Sequence, residues 1–470
     1  MKQLTFIMPM YSHRIIHRCA IITTAFALLL SGCAGNVMYR PNYQICTSPT
    51  PDETCKTNAL QYITPLTTND DAQQNYWLSF IEFDEQGQLH DRAQMNAVIN
   101  NISAQAAQHD ILITVFVHGW HHNARVGDDN ITEFRKSLQQ LSLLESAQAR
   151  AANRKPRIVY GIYIGWRGES IDVAGLRYST FWARKNAAHA VGHGGVTEVF
   201  ARLEEIRDTK LMMEQSHPSS QTRLIIIGHS FGGAVVYSAL SQVLMERFVD
   251  TRGPTGISSD VRGFGDLVVL INPAFEAQQF ATLSDMANAR GSYFASQLPV
   301  LAVLTSEADT ATRYAFPAGR FFATMFKNDR KVTRINQASH KQQEIDQTAA
   351  NRMAIGHFKD YRTHELMPDT STVQPDLNMR QMLATLDDIR QGWLHDEANS
   401  DIRFQGSVLK HLNHSIGRNP YMLIYVDKKI IADHNEIYDW RVRSFLGNLI
   451  MLSTLAPVQD QTPTTAPTAK

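Results

Sequence analysis

What this chain has little of narrows it first. Four cysteines in 470 residues exclude a dense disulfide scaffold and a cysteine-rich zinc module. Neither sign of charge is in excess, since 45 Lys and Arg balance 45 Asp and Glu, so there is no general basic footprint for nucleic acid. No apolar run beyond the first 36 residues approaches the length of a membrane span. There is no internal repeat at solenoid periods, and neither a G-x-G-x-x-G nor a Walker pattern. What remains, 43% hydrophobic and 19% charged, is ordinary globular composition, enough for one large domain or two ordinary ones.

The start of the chain reads as a processing signal. Arg14 and Arg18 form a basic n-region, and Ala20–Leu30 an apolar h-region too short to span a bilayer comfortably. The n-region is long, which leaves Met8 and Met10 as alternative starts. Leu30-Ser31-Gly32-Cys33 follows at once and resembles the bacterial lipobox. That resemblance implies removal of residues 1–32, lipidation of Cys33 and a membrane anchor on the bacterial envelope. Ala34, in place of an aspartate, favours the outer membrane. With Cys19 removed and Cys33 lipidated, only Cys46 and Cys55 remain, in CTSPTPDETC, and an oxidising compartment favours a local disulfide between them. Residues 33–73 are rich in Pro, Thr, Asn and Asp and read as a tether, while 453–470 read as a disordered Pro/Thr-rich tail.

Between these ends, residues 74–452 alternate short apolar runs with amphipathic segments. The runs are Ile111–Val117, Ile158–Ile164, Leu224–Ile227, Leu267–Ile271, Val300–Leu304 and Tyr421–Val426. Their continuous Val/Ile/Leu character suits strands buried on both faces. Helical periodicity over Val196–Met213 and Gly233–Phe248 separates them, so the pattern predicts an α/β, doubly wound, mostly parallel sheet. Trp77–Phe83 reads as an antiparallel edge strand. Residues 311–420 are too many for a loop and read as a mainly helical cap inserted between the last two strands.

Ligand-handling residues in such folds gather at the carboxyl ends of strands. Leu224–Ile227 runs into Gly228-His229-Ser230-Phe231-Gly232, and a helical pattern resumes directly. This is G-x-S-x-G in the strand-to-helix context of a nucleophile elbow. On these residues the chain resembles the α/β-hydrolase superfamily, over roughly 75–452. The resemblance implies a charge-relay acid and a histidine downstream, in that order. Asp309 stands after Val300–Leu304, with Glu307 in reserve, although Ser306 replaces the glycine often found before the acid. His434 stands between the last strand and an expected last helix, Ile437–Leu452. His357, His364, His411 and His414 are competitors that fall inside the insertion. His118-Gly119 at another strand tip implies that the backbone N–H groups of Trp120 and Phe231 serve the oxyanion. His121-His122 lack a carboxylate or third histidine at ligand spacing, and no metal or cofactor is expected.

The activity implied is a serine hydrolase acting on a carboxylic ester, thioester or lipid. Trp120, Trp166, Tyr178, Phe181 and Trp182 either line an acyl pocket or pack the cap. Acyl transfer on the same triad and a non-catalytic envelope lipoprotein are the alternatives.

Overall fold

A computed structural model describes residues 37–64, 75–168, 181–213, 221–253, 256–371 and 379–454. The signal segment, Cys33, Tyr178 and residues 455–470 lie outside the described residues. Among those described, sixteen strands run β1 (Asn42–Ser48), β2 (Asn58–Ile63), β3 (Tyr76–Glu82), β4 (Ile111–Val117), β5 (Ile158–Gly165), β6 (Arg223–His229), β7 (Arg252–Gly253), β8 (Gly256–Ile257), β9 (Leu267–Ile271), β10 (Leu301–Ser306), β11 (Lys331–Asn336), β12 (Lys341–Asp346), β13 (His364–Pro368), β14 (Asp401–Phe404), β15 (Ser407–His411) and β16 (Tyr421–Val426). Twelve of them form one mostly parallel sheet in the order β1-β2-β3-β5-β4-β6-β9-β10-β16-β13-β15-β14. The fold is α/β.

The continuous apolar runs are explained by helices on both faces. Ile113, Val115 and Ile226 point into one core with the helices Arg92–Gln108, Gly195–Met213 and Phe231–Val249. Leu112, Phe116, Ile225 and Ile227 point into the other with Asp129–Ala151, Met379–Leu394 and Trp440–Ser453. Alternate residues therefore enter two cores, and each large aliphatic side chain contributes about 1.5–3 kcal/mol by leaving water. Strand β4 has β5 on one side and β6 on the other, so the strand order reverses around it. A crevice at the carboxyl ends of the strands is expected there.

Three expectations are corrected. Within the supposed tether, β1 and β2 extend the sheet. Polar contacts that hydropathy does not signal hold this segment. Glu82 accepts the Tyr39 and Arg40 N–H groups at 2.8 Å, and the buried Arg40 guanidinium lies 4.3 Å from the Phe80 ring centroid. The Cys46 and Cys55 sulfurs are bonded to each other across this edge, with Cα atoms 5.8 Å apart. The Trp77–Phe83 run does pair antiparallel with β2, yet it is internal, because β5 adds in parallel on its other side. The insertion is not mainly helical. It contributes β13, β14 and β15 to the main sheet beyond β16, and β11 with β12 as a separate hairpin. KVTRIN and KQQEID have largely exposed faces and so lack the unbroken apolar run that marks a central strand.

Candidate active site

Ser230 follows β6 directly and opens the helix Phe231–Val249 with φ 56° and ψ −120°. A non-glycine residue with positive φ costs on the order of 1–3 kcal/mol and persists where its surroundings hold it. Here the Ser230 N–H donates to Ile271 O at 2.9 Å, while its carbonyl accepts from Gly233 and Ala274 N–H at 3.0 and 3.1 Å. The flanking glycines make the turn fit. A Cβ on Gly232 would stand 2.0 Å from Val117 O, and one on Gly228 would stand 2.7 Å from Gly232 O. The helix can therefore press its first turn against the end of β4.

Three tips converge on this serine. Ser230 Oγ lies 2.7 Å from His434 Nε2, and His434 Nδ1 lies 2.8 Å from Asp309 Oδ1. His434 is on the loop after β16, and Asp309 on the loop after β10. Ser230 is 3% exposed and Asp309 0%, while the His434 side chain keeps 15%. Burial alone would raise the Asp309 carboxyl. The adjacent His434 and the donors from His434 and Thr312 outweigh it and hold Asp309 below the usual carboxylate range. The resting arrangement is an ionised carboxylate accepting the His434 Nδ1–H, which leaves Nε2 to accept the Ser230 hydroxyl proton.

Trp120 and Phe231 are also brought together. A Cβ on Gly119 would stand 2.7 Å from Ser230 Cβ, so the β4 loop runs directly over the serine. The Trp120 and Phe231 rings meet edge-on at 6.4 Å. Phe231 is the first residue of its helix, where the macrodipole favours negative charge. His118 anchors that loop from below. Its Nδ1–H donates to Gly119 O at 2.9 Å and its Nε2 accepts the Trp166 N–H at 3.0 Å. Burial lowers its pKa to about 4, so the imidazole is neutral.

No protein-family model, curated protein or solved structure matches this chain.

Asn272 and Thr312 carried no signal in the sequence, and the supporting roles of His229, Ser306 and His357 were not foreseen. Asn272, at φ 46° just after β9, accepts the Ser306 N–H at 2.9 Å and donates to His434 O at 2.9 Å. His229 Nε2–H reaches the same carbonyl at 3.0 Å. Burial, and then the neighbouring His434, lower its pKa to about 3. The serine in place of glycine at 306 has a structural use, since Ser306 Oγ–H donates to Ile431 O at 2.7 Å and ties the acid loop to the histidine loop. Behind Asp309, the Thr312 hydroxyl donates to Oδ2 and its N–H to Oδ1 at 3.0 Å. His357, buried and lowered to about 4 by that burial, lies 3.0 Å from Thr312 Oγ1 and donates to it. The relay thus runs His357, Thr312, Asp309, His434, Ser230.

Other candidates are placed elsewhere. Glu307 turns to Lys428 at 3.4 Å and does not back up Asp309. His414 Nε2 bonds Arg362 O at 3.0 Å. His122 bonds Asp128, the cap of helix Asp129–Ala151, at 3.1 Å. Trp166 is packed face to face on His118 with ring centroids 5.5 Å apart and is a structural residue. Phe181 and Trp182 open a helix.

Proposed function

We propose that this chain is a serine hydrolase of the α/β-hydrolase superfamily, cleaving a carboxylic ester or related acyl compound. The observation that carries the proposal is the unbroken relay from Ser230 Oγ through His434 to Asp309, built on a serine with positive φ. In the reaction, Ser230 Oγ attacks the acyl carbonyl as His434 Nε2 takes the hydroxyl proton. The carbonyl oxygen becomes an oxyanion, which we assign to the N–H groups of Trp120 and Phe231. Each such donor is worth roughly 10²–10³ in rate. Collapse expels the alcohol, which takes the proton back from His434. Water, deprotonated by His434, then attacks the acyl-enzyme and releases the acid and free Ser230. Asp309 stays ionised and stabilises the imidazolium in both halves.

The test needs no knowledge of the substrate. A fluorophosphonate probe labels only an activated serine, so it should modify the protein at Ser230 and leave Ser230→Ala unlabelled. Labelling of Ser230→Ala at the wild-type rate overturns the assignment. Product analysis with an added alcohol separates hydrolysis from acyl transfer.

We further propose that Cys33 carries lipid and anchors the enzyme to a bacterial envelope membrane, outer membrane favoured. A mature N-terminus upstream of Cys33, found by mass spectrometry, refutes this.

A further inference from the structure

Away from the triad, β13 and β15 set His364 directly opposite His411 as antiparallel partners, with ring centroids 4.5 Å apart. Asp396, on the loop after helix Met379–Leu394, meets both rings with one oxygen. Its Oδ1 lies 2.8 Å from His411 Nδ1 and 3.6 Å from His364 Nε2. His364 and Asp396 are 0% exposed and His411 3%. These imidazoles are the ionic partners of this carboxylate among the described residues. A buried carboxylate needs positive charge beside it, which these rings supply when protonated and a bound cation supplies when they are neutral.

The outer sides of the rings are already committed. His411 Nε2 faces the Ser415 carbonyl at 3.0 Å, and a carbonyl only accepts, so Nε2 carries the ring proton. The other ring nitrogen, Nδ1, faces the carboxylate at 2.8 Å. His364 Nδ1 lies 2.7 Å from Thr363 Oγ1, which accepts the Leu423 N–H at 2.9 Å and has Leu423 O at 3.4 Å for its own proton. His364 Nδ1 is thus taken up by Thr363, and Nε2 points inward to Asp396 Oδ1, beyond hydrogen-bond distance at 3.6 Å. Two ring nitrogens and a carboxylate oxygen converge, with all three atoms within 4.8 Å of one another.

We propose that His364, Asp396 and His411 form a structural zinc site. Imidazole and carboxylate donors suit zinc, whereas all-oxygen sets suit calcium and magnesium. Bonds of about 2.0–2.1 Å in a tetrahedron place neighbouring ligand atoms roughly 3.3 Å apart. The 2.8 and 3.6 Å nitrogen–oxygen separations straddle that spacing. Each ring turns its outer nitrogen to a protein oxygen, as metal-bound histidines do. The other carboxylate oxygen is held by the Arg418 N–H at 2.9 Å, and Ser400 Oγ, 3.4 Å from Oδ1, or a water takes the fourth position. The burial makes the site structural, a clamp joining β13, β15 and the Asp396 loop at the far edge of the sheet.

The test uses the full-length chain from cells grown with zinc, unfolded in guanidinium with a chromogenic chelator that counts the released metal. The expected result is about one zinc per chain, falling below about 0.1 in His364→Gln, since losing even an outer partner of a ligand costs 10- to 100-fold in affinity. Far-ultraviolet circular dichroism reports whether the variant has folded. If it has not, wild type refolded with cobalt should show the intense visible bands of a four-coordinate site. Metal-free wild type, unchanged zinc in folded His364→Gln, or no such bands overturns the proposal and leaves a hydrogen-bonded imidazolium–carboxylate cluster.

Discussion

His118→Phe should make the stability of this protein less sensitive to acid, and the size of the effect follows from the structure. The wild-type ring is neutral, with a folded pKa of about 4 against 6.5 for a free histidine. Between those values the unfolded chain binds a proton that the folded chain refuses. Stability from this group is therefore complete above pH 6.5, falls as the pH drops, and levels off below about 4. At pH 5 the loss is about 2 kcal/mol, from RT times the logarithm of the two binding polynomials. Physically, a proton on Nε2 would face the Trp166 N–H donor 3.0 Å away. Phenylalanine keeps the stacking on Trp166 and Tyr163 but cannot bind a proton. It strands the Trp166 N–H, which costs about 2 kcal/mol at pH 7.5. Urea unfolding followed by circular dichroism should thus find the variant weaker at pH 7.5 and close to wild type at pH 5. All other titrating groups are common to both proteins and cancel. A stability gap that stays constant from pH 7.5 to 5 would refute the argument.

Three further outcomes are expected. His434→Ala should be nearly as damaging to probe labelling as Ser230→Ala, and the double variant little worse than either, because both disable one unit; additive losses would contradict the relay. Thr312→Val removes a charge-assisted hydrogen bond to Asp309 and should slow fluorophosphonate labelling about tenfold, the low end of the 1.5–3 kcal/mol such a bond is worth, while Thr312→Ser restores it; full speed in the valine variant would remove Thr312 from the relay. Replacing Cys46 and Cys55 together by serine opens a loop of sequence separation 9 and should lower stability in urea by about 2.5 kcal/mol; no change in the midpoint would show that the β1–β2 edge is held without the bond.

Much of the layout was legible because it depends on local pattern. Unbroken apolar runs mark β4, β5, β6, β9, β10 and β16, since a strand covered by helices on both faces has no polar side to show. Ser230 was legible because G-x-S-x-G at a strand-to-helix junction is a backbone requirement, one that a Cβ at Gly232 would break against Val117 O. Asp309 and His434 were picked out by the order that the resemblance implies, applied to the strand tips. The edge strand β1 and the separate hairpin were not legible: β1 is held by Glu82, Arg40 and the Cys46–Cys55 bond, and β11 and β12 have exposed faces, so none of them produces an apolar run.

The sequence by itself determined which segments form the central strands and which serine sits on a forced turn, because periodicity and glycine spacing act within a few residues. Only the tertiary structure decided that Thr312 and His357 stand behind Asp309, that Asn272 and His229 hold the His434 carbonyl, and that His364, Asp396 and His411 meet in one buried point. Those partners lie as far as 205 residues apart in the chain. Hydrogen bonds and ligand sets depend on distances of a few tenths of an ångström, and no one-dimensional spacing encodes such distances until the sheet order has brought the strand tips together.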